Sequence, residues 1–161
     1  ISLREEEQKI YLNTLSQFAS QFPFKENRTS NNRYFYGNSM FPSCDGLILF
    51  CHLMTFQPSR IIEIGTGYSS ALILDTYEKF IKQPAELTFI DPYTDRIDQL
   101  LSQSDQTKAK VIRIPVQQLP IKVFQQLEAG DIFFVDSSHI LKTASDLSFV
   151  FFEILPILNE G

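Results

Sequence analysis

The stretch from Arg60 to Ala71 constrains the fold more than any other part of the chain. It begins with an apolar, β-branched run too short for a helix, passes through Gly65-Thr66-Gly67, and enters a helix-forming segment at Ser69. Glycines suit a tight turn, because they tolerate positive φ and let a ligand approach the main chain. The helix that follows directs its free N–H groups over the turn. The pattern predicts a strand, a turn and a helix, with a nucleotide-like ligand at the turn.

A dinucleotide-binding fingerprint would place a third glycine where this chain has Ser70. Its absence counts against an NAD(P)-dependent oxidoreductase, which stays open as an alternative. An acidic residue, Glu63, precedes the turn, and two others, Asp91 and Asp136, follow apolar strand-forming runs. Because ligands of an open α/β sheet bind outside the carboxyl ends of its strands, we expect these three carboxylates to surround one site.

Strand-forming and helix-forming segments alternate along the second part of the chain. The predicted helices span residues 3–22, 43–56, 69–82, 94–104, 120–127 and 143–158, and the predicted strands span 61–64, 86–91, 108–114 and 132–135. Apolar strands alternating with helices predict an α/β fold, a doubly wound parallel sheet covered on both faces. We expect a single domain over 1–161, with an N-terminal helical extension over 1–57 and the α/β core over 58–161.

Composition and charge restrict the partners and the location of the protein. The 161 residues are 43% hydrophobic and carry a formal net charge of −5, so no basic field attracts nucleic acid or an anionic membrane surface. No apolar run reaches the length of a membrane span and no signal peptide is visible, which makes the cytoplasm the default expectation. Cys44 and Cys51 have neither metal-ligand spacing nor a CxxC pattern, and we expect them to be reduced and inert.

Three segments together resemble the motifs of class I S-adenosylmethionine (SAM)-dependent methyltransferases. They are Glu63-Ile64-Gly65-Thr66-Gly67-Tyr68-Ser69, Phe89-Ile90-Asp91-Pro92 and Asp131-Ile132-Phe133-Phe134-Val135-Asp136-Ser137-Ser138-His139. The similarity runs from about Tyr34 to Gly161. It implies a Rossmann-like sheet of order 3-2-1-4-5-7-6, of which only the first four strands are accounted for, so we expect an incomplete domain. The apolar fourth strand, residues 132–135, would then be an edge, and we expect the chain either to form a homo-oligomer through it or to depend on a missing segment.

The resemblance also implies a set of SAM-binding residues around the turn and after the second and third strands. They are Glu63, Gly65, Thr66, Gly67, Tyr68, Ser69, Asp91 and Gln117. Asp91 would accept hydrogen bonds from the ribose hydroxyls, with an Asp-Pro turn as the alternative reading. Ser69 would hold the carboxylate of the methionine moiety or serve as a plain N-cap. Glu63 would lie near the amino group of the cofactor, and Gln117 beside its adenine.

Asp136 and His139 are the candidate catalytic residues. A carboxylate and an imidazole three residues apart can deprotonate or orient a methyl acceptor, and capping of the following helix is the alternative. Phe41 and Asp45, at the entry to the second helix, are candidate substrate contacts by resemblance, with a hydrophobic staple and a helix cap as alternatives.

We expect O-methylation of a small molecule or sugar, with a non-catalytic SAM-binding or regulatory module as the rival function. In metal-dependent members of the group, the residue equivalent to Asp136 binds Mg²⁺ and further ligands follow the fifth strand. This sequence supplies one or two candidate ligands where a hard cation requires about six oxygens. We therefore expect no metal ion held by this chain.

Overall fold

A four-stranded, all-parallel sheet organises residues 2–159, the part of the chain that the computed structural model describes. Its strands are β1 (Arg60–Ile64), β2 (Glu86–Ile90), β3 (Ala109–Ile112) and β4 (Ile132–Val135), and their order is β3-β2-β1-β4. β1 is central, and its isoleucine side chains are at most 5% exposed. The order confirms the predicted Rossmann-like α/β fold.

Helices connect the strands and cover the sheet. They are α1 (Glu5–Ser16), α2 (Ser43–Phe56), α3 (Tyr68–Lys79), α4 (Asp95–Leu100) and α5 (Asp146–Phe149), with short 3₁₀ helices at Ala19–Gln21, Gln103–Thr107, Val116–Gln118 and Ile121–Gln126. The first helix was predicted to run to Phe22, but its α-helical part ends at Ser16. Among residues 2–159, none of these helices has the length and apolarity that crossing a membrane requires.

The last helix starts later and is less regular than its apolar pattern predicts. Ser145 is its N-cap, and the Ser145 hydroxyl accepts a hydrogen bond from the Ser148 N–H at 3.1 Å, so the predicted start at Thr143 is wrong. After α5 the backbone widens into a π-helix at Val150–Ile154 and tightens into a 3₁₀ helix at Leu155–Ile157. Pro156 lies in that last turn, where it lacks the N–H that an α-helix would use. The predicted C-terminal end at 159–161 lies partly outside the described residues.

The sheet separates two apolar clusters of unequal size. Ile61 faces the larger cluster, which includes side chains of α2 and α3, whereas Ile62 and Ile64 face a smaller one built around Phe124 and Ile154. This alternation follows from the two-residue period of a strand. Both faces of β1 are thereby closed to water, and its carboxyl end is held at a fixed position.

A buried ion-pair cluster fastens the N-terminal segment to the core. The guanidinium of Arg33 pairs with Asp75 in α3 at 2.6 Å, with Glu78 in α3 at 2.8 Å, and with Asp105 at 2.5 Å. The side chains of Asp75 and Asp105 are 0% and 1% exposed. Asp75 also accepts the main-chain N–H groups of Arg33 and Tyr34 at 2.8 and 2.9 Å. The loop between α1 and α2 is therefore held by charge as well as by packing.

The two outer strands of the described sheet differ in character. β4 consists of Ile132, Phe133, Phe134 and Val135, all half-buried. The opposite outer strand, β3, carries an exposed lysine, Lys110, in its middle. One edge is therefore charged and the other is entirely apolar.

Candidate functional site

The carboxyl ends of β1, β2 and β4 meet at one edge of the sheet, which we call the carboxyl edge. Gly65 follows β1, Asp91 follows β2 and Asp136 follows β4, and the main-chain bonds continue through them: Gly65 N–H to Ile90 O at 3.0 Å and Asp136 N–H to Ile64 O at 2.9 Å. The strand order reverses between β1 and β4, which is where ligands of such sheets bind. Two of the predicted acidic residues, Asp91 and Asp136, are thus brought to the carboxyl edge, and Glu63 lies in the strand between them.

The two glycines of the turn have different structural roles. Gly65 has φ +90°, and a Cβ added there would lie 1.9 Å from the carbonyl oxygen of Asp136. Gly67 is extended, with φ 161°, so positive φ is found at only one of the two positions where it was predicted. A Cβ at Gly67 would lie 3.0 Å from Cδ of Arg96. At both glycines, the atoms that come close to the main chain therefore belong to the protein itself.

Glu63 lies fully buried beneath the turn. Its carboxylate accepts hydrogen bonds from the hydroxyls of Ser69 and Ser70, in the first turn of α3. Burial raises the pKa of Glu63 to about 8, the two serine hydroxyls oppose that rise, and the nearby carboxylates of Asp136 and Asp91 reinforce it. Glu63 therefore ties β1 to α3 and holds a proton near neutral pH.

Ser69 has a different partner from the one the resemblance implies. It is 2% exposed and its hydroxyl donates to Glu63, which it could not do while facing a ligand over the turn. It is not the N-cap either, since that position is Gly67. The Gly67 N–H donates to the hydroxyl of Ser70 at 3.1 Å. Sequence reasoning missed this use of Ser70, although a hydroxyl three residues after the N-cap is the spacing of a capping box.

Replacing Glu63 by glutamine is expected to remove a pH dependence of stability. Because the pKa of Glu63 is raised on folding, the folded state binds the extra proton, and the free energy of unfolding falls as pH rises from about 4.5 to about 8. Glu63→Gln cannot bind this proton. Its free energy of unfolding, relative to that of wild type, should therefore rise as pH increases from about 4.5 to about 8. Urea unfolding at pH 5 and pH 8.5 measures the difference. Parallel profiles for the two proteins would contradict the assignment.

Asp91 braces the turn from the neighbouring strand. One carboxylate oxygen accepts the Thr66 N–H at 2.8 Å and the other accepts the Tyr93 N–H at 2.8 Å. The bond to Tyr93, two residues on, is the Asp-Pro turn that the sequence left open. The oxygen that accepts the Thr66 N–H also accepts the Thr66 hydroxyl at 3.4 Å, whereas the oxygen bonded to the Tyr93 N–H keeps a second lone pair, and the side chain is half-buried. Asp91 can therefore hold the turn and still accept from ligand hydroxyls.

Asp136 and His139 form a pair on the exposed side of the same edge. Nε2 of His139 lies 3.2 Å from Oδ1 of Asp136, and the His139 and Asp136 side chains are 70% and 32% exposed. His139 has φ +56°, a left-handed conformation that directs the chain back over the end of β4. Neither residue caps α5, because Ser145 does. The pair is accessible and can exchange a proton with a molecule lying over the carboxyl edge.

Gln117 lines a groove of about 480 Å³ between the segment after β3 and the start of α5. Its side-chain amide donates to the Ala144 carbonyl at 3.2 Å. Phe149 and Phe152 supply the apolar wall, and Ser145 and Ser148 supply hydroxyl groups. The groove is open to solvent, and its mixed lining suits a flat, polar-edged group.

Three further candidate residues are Phe41, Asp45 and Tyr68. Phe41 is 8% exposed, and its ring packs edge-on against Phe134 of β4 with centroids 6.2 Å apart, which is a core position. Asp45 is exposed in the first turn of α2 and does not cap that helix, whose N-cap is Pro42. Tyr68 is half-buried and packs against Phe35 at 5.4 Å. Of the three, Phe41 is the least accessible to a substrate.

Within residues 2–159, no three His, Cys, Asp or Glu side chains are grouped as a metal ion would require.

Comparison with known proteins finds a relative whose activity is not described. Over 137 residues the chain is 31% identical to a protein of Archaeoglobus fulgidus that is described only as an uncharacterized protein. The match covers 82% of this chain and 60% of that protein, so the chain spans less than two thirds of the relative's length. No known protein family matches the chain. No solved structure matches it either.

Proposed function

We propose that the chain is the SAM-binding core of a methyltransferase that acts on an oxygen of a small molecule or sugar. One observation supports this most: the Gly65-Thr66-Gly67 turn and the carboxylates of Asp91 and Asp136 meet at the point where the strand order reverses. A carboxylate after the second strand is suited to vicinal hydroxyls, because it can accept two charge-assisted hydrogen bonds. The helix α3 begins directly after the turn, and the N–H groups of its first residues have no partner within the helix.

The residues present fit a nucleoside with a cationic substituent. Asp91 keeps a lone pair on Oδ1 for a ribose hydroxyl, and the groove at Gln117 has a volume of about 480 Å³ in which a base could lie. The carboxylates of Asp91 and Asp136 together favour positive charge at the carboxyl edge. When bound, SAM supplies an electrophilic methyl group. The protein's part is to orient it and to hold an acceptor oxygen in line.

The Asp136–His139 pair is the proposed acid–base group. The Asp136 carboxylate orients the imidazole through Nε2, at 3.2 Å, which leaves Nδ1 to take a proton from an acceptor hydroxyl. The exposure of His139 leaves room for that acceptor beside it. This arrangement favours an enzyme over a module that binds SAM without turnover.

Titration of the protein with SAM, S-adenosylhomocysteine and NADH separates the candidate functions. We expect calorimetric binding of the two adenosyl sulfur compounds and none of NADH, because Ser70 occupies the position of the third dinucleotide glycine and its hydroxyl is bonded to Gly67. NADH binding without SAM binding would favour an oxidoreductase. Failure of all three to bind would overturn the proposal.

Replacing Asp91 by alanine is expected to weaken S-adenosylhomocysteine binding about 10- to 100-fold, because a charge-assisted contact to ribose is lost. Asp91→Asn, which keeps an acceptor for the Thr66 N–H, tests whether the loss comes from the ligand contact and not from the turn. Asp95→Ala, an exposed aspartate at the start of α4, is the matched control and should bind normally. Normal binding by both Asp91 variants would contradict the role of Asp91.

A further inference from the structure

Arg96 lies along the glycine turn, although nothing in the sequence motifs indicates it. An ideal Cβ on Gly67 would be 3.0 Å from its Cδ, 3.5 Å from a guanidinium nitrogen and 3.7 Å from its Cγ. The side chain therefore covers Gly67, which is itself buried, while Arg96 remains exposed overall. The absence of a Cβ at Gly67 is what allows the guanidinium to reach this position.

Most arginines among the described residues pair with a carboxylate, whereas Arg28 and Arg96 do not. Arg33, Arg60 and Arg113 each pair with a carboxylate, at 2.6, 3.3 and 2.7 Å respectively. Within residues 2–159, Arg96 has no carboxylate at ion-pair distance, although acidic residues are common around it. Its charge also lies beside the N-terminal end of α3, where the helix dipole disfavours a cation. An anionic group placed there would interact favourably with both the guanidinium and the helix.

The hydroxyl that the resemblance assigns to such an anion is already engaged. Ser69 is buried and donates to Glu63, and Ser70 is bonded to both Glu63 and the Gly67 N–H. The serine hydroxyls therefore leave a carboxylate over the turn with main-chain donors alone, unless another side chain contributes. Arg96 presents a planar set of N–H groups at that place, and a guanidinium binds a carboxylate through two parallel hydrogen bonds.

We propose that Arg96 is the residue that selects ligands with a carboxylate, by binding that group over Gly67, and this inference rests on the proposed SAM-binding function. The carboxyl edge then has two electrostatic parts. Asp91, which is bonded to Thr66, accepts from hydroxyls, and Arg96, which lies beside Gly67, neutralises an anion. A ligand that carries both ribose and an amino-acid carboxylate satisfies both parts, whereas a nucleoside alone satisfies one.

Two ligands that differ in the amino-acid portion test this role. S-adenosylhomocysteine carries a carboxylate, and 5′-methylthioadenosine has the same nucleoside without it. Arg96→Met should bind S-adenosylhomocysteine about 10-fold more weakly than wild type and leave the affinity for 5′-methylthioadenosine within about twofold. Arg96→Lys, which keeps the charge, should recover part of the loss. Arg113→Met, which removes another exposed arginine, paired with Asp98, should change neither affinity.

The outcomes separate the two proposals. If wild type does not bind S-adenosylhomocysteine, the proposed function fails and this inference fails with it. If wild type binds and Arg96→Met keeps the full preference for S-adenosylhomocysteine, only the role of Arg96 is overturned. An equal loss for both ligands would also overturn it, because it would indicate a general effect on the turn. Circular dichroism of each variant verifies that the fold is intact.

Discussion

Replacing Gly65 by alanine is expected to lower the free energy of unfolding by about 3 kcal/mol or more, through strain at a left-handed residue and overpacking. The new Cβ would lie 1.9 Å from the Asp136 carbonyl oxygen and 2.6 Å from the Asp136 carbonyl carbon. These are main-chain atoms held in place by the pairing of β4 with β1, so they cannot move aside as a flexible side chain would. Chemical denaturation followed by circular dichroism measures the change.

Gly130→Ala is a matched control for this prediction. Gly130 has φ +89°, almost the value at Gly65, but among the described residues no atom lies within 4 Å of the position its Cβ would take. Its substitution therefore includes the conformational strain without the collision and should cost about 1–2 kcal/mol. Equal destabilisation by the two variants would show that the approach of Asp136 to the turn is not a tight constraint.

Replacing Arg33 by methionine is expected to destabilise the protein by about 3–5 kcal/mol, because it leaves the buried Asp75 carboxylate without a counter-ion and the buried Asp105 carboxylate with Lys108 alone. Asp75 and Asp105 are at most 1% exposed, and the Arg33 guanidinium pairs with both. Arg113→Met is the control, since the Arg113–Asp98 pair is half-exposed, and exposed pairs contribute only about 0–1 kcal/mol. Similar losses in the two variants would argue against a buried cluster.

The same variant should change the response to acid. Hydrogen bonds from Arg33 are the main cause that lowers the pKa of Glu78 to about 2. Burial acts to raise the pKa of Asp105, but hydrogen bonds from Arg33, Ser102 and Lys108 outweigh it and lower that pKa. These carboxylates therefore stabilise the fold above their unfolded pKa values, and the stabilisation is lost as pH falls toward 2. The gap in unfolding free energy between wild type and Arg33→Met should narrow between pH 6 and pH 3. A constant gap would contradict the pairing.

The sequence predicted the sheet well because local signals agree there with tertiary packing. Ile61, Ile62 and Ile64 are β-branched and precede a glycine turn. Their β propensity indicates a strand, and the turn indicates that the strand ends at Ile64. The last helix was predicted less well. Its apolar spacing suggested a start at Thr143, but the cap that forms is at Ser145, and hydroxyl residues at both positions look alike in sequence.

The sequence predicted where the candidate residues lie on the sheet but not the hydrogen bonds between them. Asp91 and Asp136 were found because the residue after a parallel strand must lie at the carboxyl edge, whatever its partners. The bonds of Ser69 and Ser70 to Glu63 depend on how α3 is rotated against β1, which a motif does not specify. The cluster at Arg33 joins residues 42 and 72 positions apart, and no local pattern relates them. Arg96 was missed for the same reason.

The two outer strands of the described sheet differ in how readily a further strand could pair with them. On β3, the charge of Lys110 discourages further main-chain pairing, because a strand added there would have to accommodate that ammonium group. On β4, the residues from Ile132 to Val135 offer a half-buried apolar edge with no charge to oppose an incoming strand. A further strand is therefore favoured at the β4 edge over the β3 edge, on the side of the sheet away from β2.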